Sequence, residues 1–273
     1  MKRYSEPWNE FAGMYSYYTS PTTPSRKDLD MIRDEVMSMI SEKGRPDALI
    51  LGCTAGYRKM LARHGIHADL ADLNRKMLDI NNESLKGISM DEGFIRCDWR
   101  DMNLKKKYDI ILGDFAVNNI HKKDKSRFYR NIIRHLKDDG SFITRIAVQP
   151  KKPLRKEQVF RMYRNKRISR KSLNELHWDA IFNLGLDSRK GAAENRKGFA
   201  ELSDYGNNRH MEKWVSAYSE KFPTVEKEWS MLKEAEQDKE LKRHFRIIRK
   251  SRSDDYKYSG ICPTYVLKRK YTK

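Results

Sequence analysis

Apolar and polar positions change rhythm twice along this chain of 273 residues. Over 28–42 (DLDMIRDEVMSMISE), Leu29, Ile32, Val36, Met39 and Ile40 recur every three or four positions, the spacing of an amphipathic helix. Ser25 stands where its N-cap belongs, acidic residues fill the first turn, and Gly44 and Pro46 end it. From residue 48 short continuous apolar runs alternate with helical patterns. ALILG (48–52), IHADLAD (66–72), GFIRCDW (93–99), YDIILGD (108–114) and GSFITRIAV (140–148) read as buried strands; AGYRKMLARHG (55–65), RKMLDINNESL (75–85) and KSRFYRNIIRHLK (125–137) read as the helices between them. Strands alternating with helices predict a mostly parallel α/β sheet with right-handed crossovers and helices on both faces. After Gln149-Pro150 the pattern turns helical, over 155–185 and 208–220, with a Gly-, Asn- and Arg-rich loop near 187–198 and a further helix within 224–250. ICPTYVLKRK (261–270) ends the chain as a strand, so the helical block is expected to be an insertion into the sheet domain. Residues 1–25, with Trp8, Phe11, Tyr15, Tyr17 and Tyr18, are too apolar for a free tail and are expected to pack on the domain.

In an open parallel sheet the ligand lies outside the carboxyl ends of the strands. After the first strand comes Gly52-Cys53-Thr54-Ala55-Gly56, small residues that let a backbone approach a ligand, followed by a helix that offers its N–H groups. After the second stands Asp72, a carboxylate placed to accept from both hydroxyls of a ribose, with Leu73 behind it. Asp98-Trp99 after the third offers an acceptor for an exocyclic amine beside an aromatic ring. Asp114 follows the fourth, with Phe115, Asn118 and Asn119 behind. Singly, each residue has a plainer reading as a turn glycine, a helix-capping Asp or a core Trp. The order and spacing of all four sites describe an adenosine pocket.

ALILGCTAG, ADLADLNRKML, FIRCDWRDMNL, YDIILGD and LKDDGSFITRI, in this order over 48–146, resemble the successive motifs of class I S-adenosylmethionine-dependent methyltransferases. Trp8, Tyr15, Pro24-Ser25, Leu51-Gly52-Cys53-Thr54, Asp98-Trp99, Arg145 and Cys262-Pro263 resemble a little-characterised branch of that family. The resemblance implies a Rossmann-like sheet of seven strands with a reversed last hairpin. It implies S-adenosylmethionine as cofactor, with Gly52, Cys53, Thr54 and Gly56 along its methionine part, Asp72 and Leu73 at the ribose, Asp98 and Trp99 at the adenine, and Asp114 near the methionine amino group or the reacting face. The first loop departs from the usual acid-x-Gly-x-Gly-x-Gly, with Ile50 at the acid and Thr54 at the middle glycine, and no dinucleotide-type G-x-G-x-x-G is present. Methyl transfer needs positioning and exclusion of water more than a fixed base. Candidates to face the methyl are Asp114, Asn118 and His121, and Tyr15, Tyr17 and Tyr18 if the N-terminal segment acts as a lid; His121, in a polar run, reads first as a surface histidine. The Asn-Pro-Pro-aromatic motif of base-amino methyltransferases is replaced by Phe115-Ala116-Val117.

Charge changes the picture in one respect. The formal net charge is +19, and 15 of those charges lie in two segments: 151–171, with ten Lys/Arg and one Glu, and 239–252, with seven Lys/Arg and one Glu. They read either as solvated helix faces or as a footprint for phosphate-bearing partners. The scattered histidines and Cys53, Cys97 and Cys262 show neither metal-ligand nor disulfide spacing. With no apolar run long enough for a membrane span and no signal core in MKRYSEPWNEFAG, the expectation is a reduced, cytoplasmic protein. The expected organisation is an N-terminal segment and helix at 1–45, a cofactor core at 46–150, a basic acceptor-binding insertion at 151–225 and closing elements at 226–273. The expected function is methyl transfer to an O or N nucleophile of a small molecule or peptide. Alternatives are an RNA methyltransferase using both basic segments, and a non-catalytic basic binding module on the same fold.

Overall fold

The structure, a computed structural model, describes residues 2–14, 17–204, 209–222 and 226–270. In chain order the elements are α1 (Lys2–Gly13), α2 (Arg26–Lys43), β1 (Ala48–Leu51), α3 (Ala55–Arg63), β2 (Ala68–Asp72), α4 (Arg75–Glu83), β3 (Glu92–Arg96), β4 (Tyr108–Asp114), α5 (Lys125–His135) and β5 (Leu136–Arg145). There follow α6 (Lys156–Tyr163), α7 (Arg170–Asp179), β6 (Leu186–Asp187), β7 (Ala192–Glu194), α8 (Asn195–Ser203), α9 (Arg209–Lys221), β8 (Glu228–Ser230), α10 (Glu234–His244), β9 (Phe245–Ser251) and β10 (Thr264–Arg269). The chain divides into a sheet unit, Ser20–Ala147 with Ala235–Lys273, and a helical unit, Met1–Thr19 with Val148–Glu234.

The sheet unit carries seven strands in the order β3-β2-β1-β4-β5-β10-β9. β1 pairs parallel with β2 and β4, β2 with β3, and β4 with β5; β10 alone runs antiparallel, to both β5 and β9. It is a Rossmann-like, mostly parallel sheet with a reversed last hairpin. Continuous apolar runs suit it because both faces are covered. In β1, Ala48 and Ile50 enter a core with Ile32 and Val36 of α2 and Tyr57 and Leu61 of α3. Leu49 and Leu51 enter the opposite core with Phe128 and Ile132 of α5 and Leu241 of α10. The two-residue period of the strand thus feeds two hydrophobic layers at once.

One element differs from its sequence pattern. The helix expected within 224–250 ends at His244, and residues 245–251 form the edge strand β9. Phe245 is buried in the core and Ile247 packs against it, while Arg246, Ile248 and Arg249 are exposed. The alternation FRIIRKS is short enough to fit a helix equally well, and pairing with β10 decides it. Charged side chains on such an edge discourage pairing with another chain.

In the helical unit the expected helix over 155–185 is broken. α6 stops at Tyr163 and α7 restarts after Ser169, whose hydroxyl accepts from the Ser172 N–H at 3.2 Å, a side-chain cap that ends one helix and begins the next. The expected loop at 187–198 contains a hairpin, β6 with β7, and the first turn of α8; β8 pairs with β7 to complete a small sheet. The core of this unit is aromatic. The His177 and Phe222 rings stack at 4.5 Å, and Trp8 and Phe11 of α1 lie 6.2 and 6.3 Å from Trp229.

Candidate functional site

The carboxyl ends of β1, β2, β4 and β5 point to the same edge of the sheet, and the site is built there. Gly52 closes β1 at φ +96°, a left-handed conformation that glycine adopts without a side-chain clash. Its N–H donates to the Ala71 carbonyl at 2.8 Å, which bends the chain away from β1 toward the tip of β2. Cys53 is buried. Thr54 is the N-cap of α3 and makes no side-chain cap bond, so the first N–H groups of α3 are left uncapped by its hydroxyl. Gly56 lies within α3, where an added Cβ would meet Leu29 Cδ2 at 3.1 Å, so it admits close packing of α2 on α3.

Asp72 ends β2. Its Oδ1 accepts the Asn74 N–H at 2.8 Å, and Oδ2 faces the weak Cys53 thiol donor at 3.9 Å. Burial pushes its carboxyl up to about 6, against the opposing bonds from the backbone N–H groups of Asn74 and Leu73. The same burial pushes the Cys53 thiol up, so that sulfur stays protonated at neutral pH. A half-buried carboxylate with one oxygen so weakly bonded, next to an uncapped helix N-terminus, is a donor-seeking arrangement. It suits a ligand that brings vicinal hydroxyls and an anionic group.

Trp99 lies over this loop. Its indole N–H donates to the Ala71 carbonyl at 2.6 Å, and its ring stands 3.7 Å from where a Gly52 Cβ would be. Asp98 bonds the backbone N–H and the guanidinium of Arg100, and Arg100 reaches on to Asp124 at 3.0 Å. Burial pushes the Asp98 carboxyl up, but the Arg100 bonds outweigh it and hold it below the usual range.

At the tip of β4 the structure shows an arrangement that the sequence pattern did not reveal. Asp114 binds Arg145 of β5 through both oxygens, at 2.7 and 3.1 Å. The fully buried guanidinium also donates to Asp28 at 2.7 Å, to the Pro21 carbonyl at 2.7 Å and to the Tyr256 hydroxyl at 3.3 Å. Together these bonds use all five of its N–H donors. Burial pushes the Asp114 carboxyl up while the guanidinium opposes it. Phe115 follows at φ +50°, strained for a residue with a Cβ, with its ring 4.9 Å from the Arg145 guanidinium carbon. In the sequence Asp28 counts only among the acids of the first turn of α2; in the structure it forms a capping box with Ser25, and its second bond, to Arg145, spans 117 positions and has no local signature.

The remaining candidates fall in several places. Asn118 exchanges two hydrogen bonds with the Ala147 backbone, at 2.8 and 2.9 Å. His121 is half-buried and begins a short 3-10 turn. Tyr18 is buried in the aromatic core of the helical unit, near Phe11, His177 and Phe222. Tyr17 stands in the same unit, with the Lys221 ammonium 5.4 Å from its ring. Tyr15 lies outside the described residues. Among the described residues no cluster of His, Cys, Asp and Glu could hold a metal ion, and no helix is long and apolar enough to cross a membrane.

The fold and this edge define an α/β protein of the Rossmann-like methyltransferase type. The sequence pattern of a methyltransferase domain family matches residues 48–140, which span β1 to the start of β5. Among solved structures, the CcbJ methyltransferase from Streptomyces caelestis superposes with a TM-score of 0.59 at 12% identity, covering 97% of both chains. An S-adenosylmethionine-dependent methyltransferase from Clostridium acetobutylicum gives 0.52 at 17%, covering 87% of this chain and 90% of its own. The glycopeptide N-methyltransferase MtfA gives 0.50 at 12%, with 87% and 90% covered. At such identities these structures speak for the fold. No match is found among the curated proteins compared with the chain. The family pattern lies on the cofactor half of this sheet, so residues 48–140 form a methyltransferase domain, whose cofactor is S-adenosylmethionine.

Proposed function

We propose that the protein methylates an O or N nucleophile of a small molecule or peptide, and that acceptor recognition resides in the insertion at 151–225. The observation that carries this reading is the construction of that insertion. It lies within a compact unit, Met1–Thr19 with Val148–Glu234, that has its own small sheet and an aromatic core. Part of the charge of 151–171 is already engaged there: Lys156 with Glu201 at 3.1 Å, Lys166 with Glu175 at 3.0 Å, and Arg170 with the Tyr18 carbonyl at 3.2 Å. The glycopeptide N-methyltransferase of the same fold is a precedent for a peptide acceptor.

The cofactor supplies a methyl group already activated on a sulfonium. The chain's own residues bind and orient. In this reading the Asp72 carboxylate accepts from both ribose hydroxyls through the weakly bonded Oδ2 and the edge of Oδ1, and the uncapped N-terminus of α3, with Gly52, Cys53 and Thr54 before it, receives the cofactor carboxylate. Leu73, Asp98 and Trp99 line the adenine side. Asp114 stands at the methyl end but has both oxygens on Arg145, and Asn118 is tied to the Ala147 backbone, so both act here as positioning residues that fix the tip of β4. No side chain of this edge is required as a base, which suits an amine or phenol that loses its proton after, or independently of, transfer.

The test is calorimetry with S-adenosylmethionine, then transfer of tritiated methyl to a panel of amines, phenols, peptides and RNA. Labelled small molecule or peptide is expected. Label on RNA alone would overturn the acceptor class, and unchanged cofactor affinity in Asp72→Ala would overturn the placement of the ribose.

A further inference from the structure

The second basic segment belongs to a different part of the molecule from the first. In the sheet unit, Lys239, Lys242 and Arg243 of α10 and Lys270 after β10 line an open hollow of about 540 Å3 together with Ala235 and Asp238. None of these four cations forms a salt bridge among the described residues, whereas the neighbouring cations do: Lys250 binds Asp238 at 2.7 Å, and Arg249 and Arg269 bind Glu35 and Asp138. The one acid of the hollow is therefore already neutralised by Lys250, and it also accepts from the Tyr265 hydroxyl at 2.8 Å. Two cations at the end of α10 could serve the helix dipole, but that leaves Lys239 and Lys270 without a reason. The field is felt next door: His244 is held below the usual histidine range, first by burial, then by Arg130 of α5, Arg243 and Lys270, against the opposing charge of Glu240.

Topology places this hollow away from the cofactor end. β10 is antiparallel to β5, with Thr264 opposite Arg145 and Lys268 opposite Ser141, and Arg269 of β10 faces Phe245, the first residue of β9. Lys270 and the end of α10 thus stand where the parallel strands begin, about 20 Å along β10 from the edge that carries Asp114 and Arg145, at about 3.3 Å per residue.

We propose that this hollow is a docking surface for the phosphodiester backbone of a single-stranded nucleic acid, holding it at a distance from the site of methyl transfer. Unpaired lysines and one arginine around an open hollow suit successive phosphates. Four cations grouped around one hollow are enough to hold a few successive phosphates of one strand. The hollow's only apolar lining residue is Ala235, so it offers no large apolar side chain to insert into a lipid surface. The inference does not depend on the acceptor proposed above, since cofactor binding is measured separately from nucleic-acid binding.

The experiment is fluorescence anisotropy of the full chain with a labelled uridine oligonucleotide of about 20 nucleotides, titrated over salt. Lys242→Ala, Arg243→Ala and Lys270→Ala are introduced together, with cofactor calorimetry and thermal unfolding as controls for folding. The triple variant is expected to bind about tenfold or more weakly at low salt. The slope of log affinity against log salt is expected to become shallower by about 2, near 0.7 for each phosphate of a single strand that is no longer neutralised. Because all three side chains are on the surface, folding is expected to survive; Lys239→Gln with Lys242→Gln is the milder check, and ultraviolet cross-links are expected in 235–243 or at Lys270. Absent binding by the wild type, an unchanged slope in both variants, or cross-links confined elsewhere would overturn the proposal. So would binding of polyglutamate or phosphatidylserine vesicles as tightly, charge for charge.

Discussion

Replacing Asp72 by asparagine separates what the fold needs from what the cofactor needs. In the folded chain burial raises this carboxyl from its ordinary 3.8 to about 6. That difference of about 2.2 corresponds to at most about 3 kcal/mol, at about 1.4 kcal/mol per pH unit, and water reaching this half-buried side chain reduces it. For an acid with a raised folded-state pKa, the stabilising contribution is fully present below 3.8 and is lost as pH rises through about 6. At neutral pH, then, ionised Asp72 works against the unliganded fold. The amide of Asp72→Asn would keep an oxygen acceptor for the Asn74 N–H while removing the charge. Thermal unfolding of the unliganded protein is expected to show this variant more stable than wild type at pH 7 by about 1–3 kcal/mol, with the gap closing near pH 4. Cofactor affinity should move the other way. An amide cannot accept from both ribose hydroxyls, and losing one charge-assisted bond of about 1.5–3 kcal/mol raises Kd by about tenfold to more than a hundredfold. Wild-type affinity should also fall as pH drops below about 6, where Asp72 takes up its proton. A variant that melts with the wild type at both pH values, or that keeps wild-type affinity, would refute the reasoning.

Other expectations are independent of that one. Arg145→Met strands two buried carboxylates, Asp28 and Asp114, and should cost about 3–5 kcal/mol in denaturant unfolding, more than Arg145→Lys, which keeps a charge but loses the two-oxygen grip on Asp114. His177 is fully buried and burial lowers its pKa from 6.5 to about 3, so the helical unit should lose stability as pH falls from 6.5 toward 3; His177→Phe should flatten that slope when followed by Trp178 fluorescence. Lys227 lies 5.2 Å from the rings of both Trp8 and Trp229 and burial lowers its pKa to about 8. A change in tryptophan emission with a midpoint near pH 8 is expected, and Lys227→Met should abolish it.

The residues of this chain determine a good deal without tertiary help. ALILG and YDIILGD read as buried strands because their apolar runs are short and closed by glycine, and the alternation with helical patterns then points to a parallel sheet with Gly52, Asp72, Asp98 and Asp114 expected at its carboxyl edge. Local chemistry also marks the start of α2, since the Ser25–Asp28 capping box acts over three positions. What the tertiary structure decided is whatever rests on partners distant in the chain. FRIIRKS became a strand because β10 offers it an edge, and Asp114 turned to Arg145 because two strands bring their tips together. Asp28 acquired its second bond from a guanidinium 117 positions away. Charge shows the same division. Composition records +19 and two basic segments, but only folding determined which cations find acids and which, like Lys239, Lys242, Arg243 and Lys270, form no ion pair among the described residues: a charge is a property of a residue, whereas its neutralisation depends on what the fold places beside it.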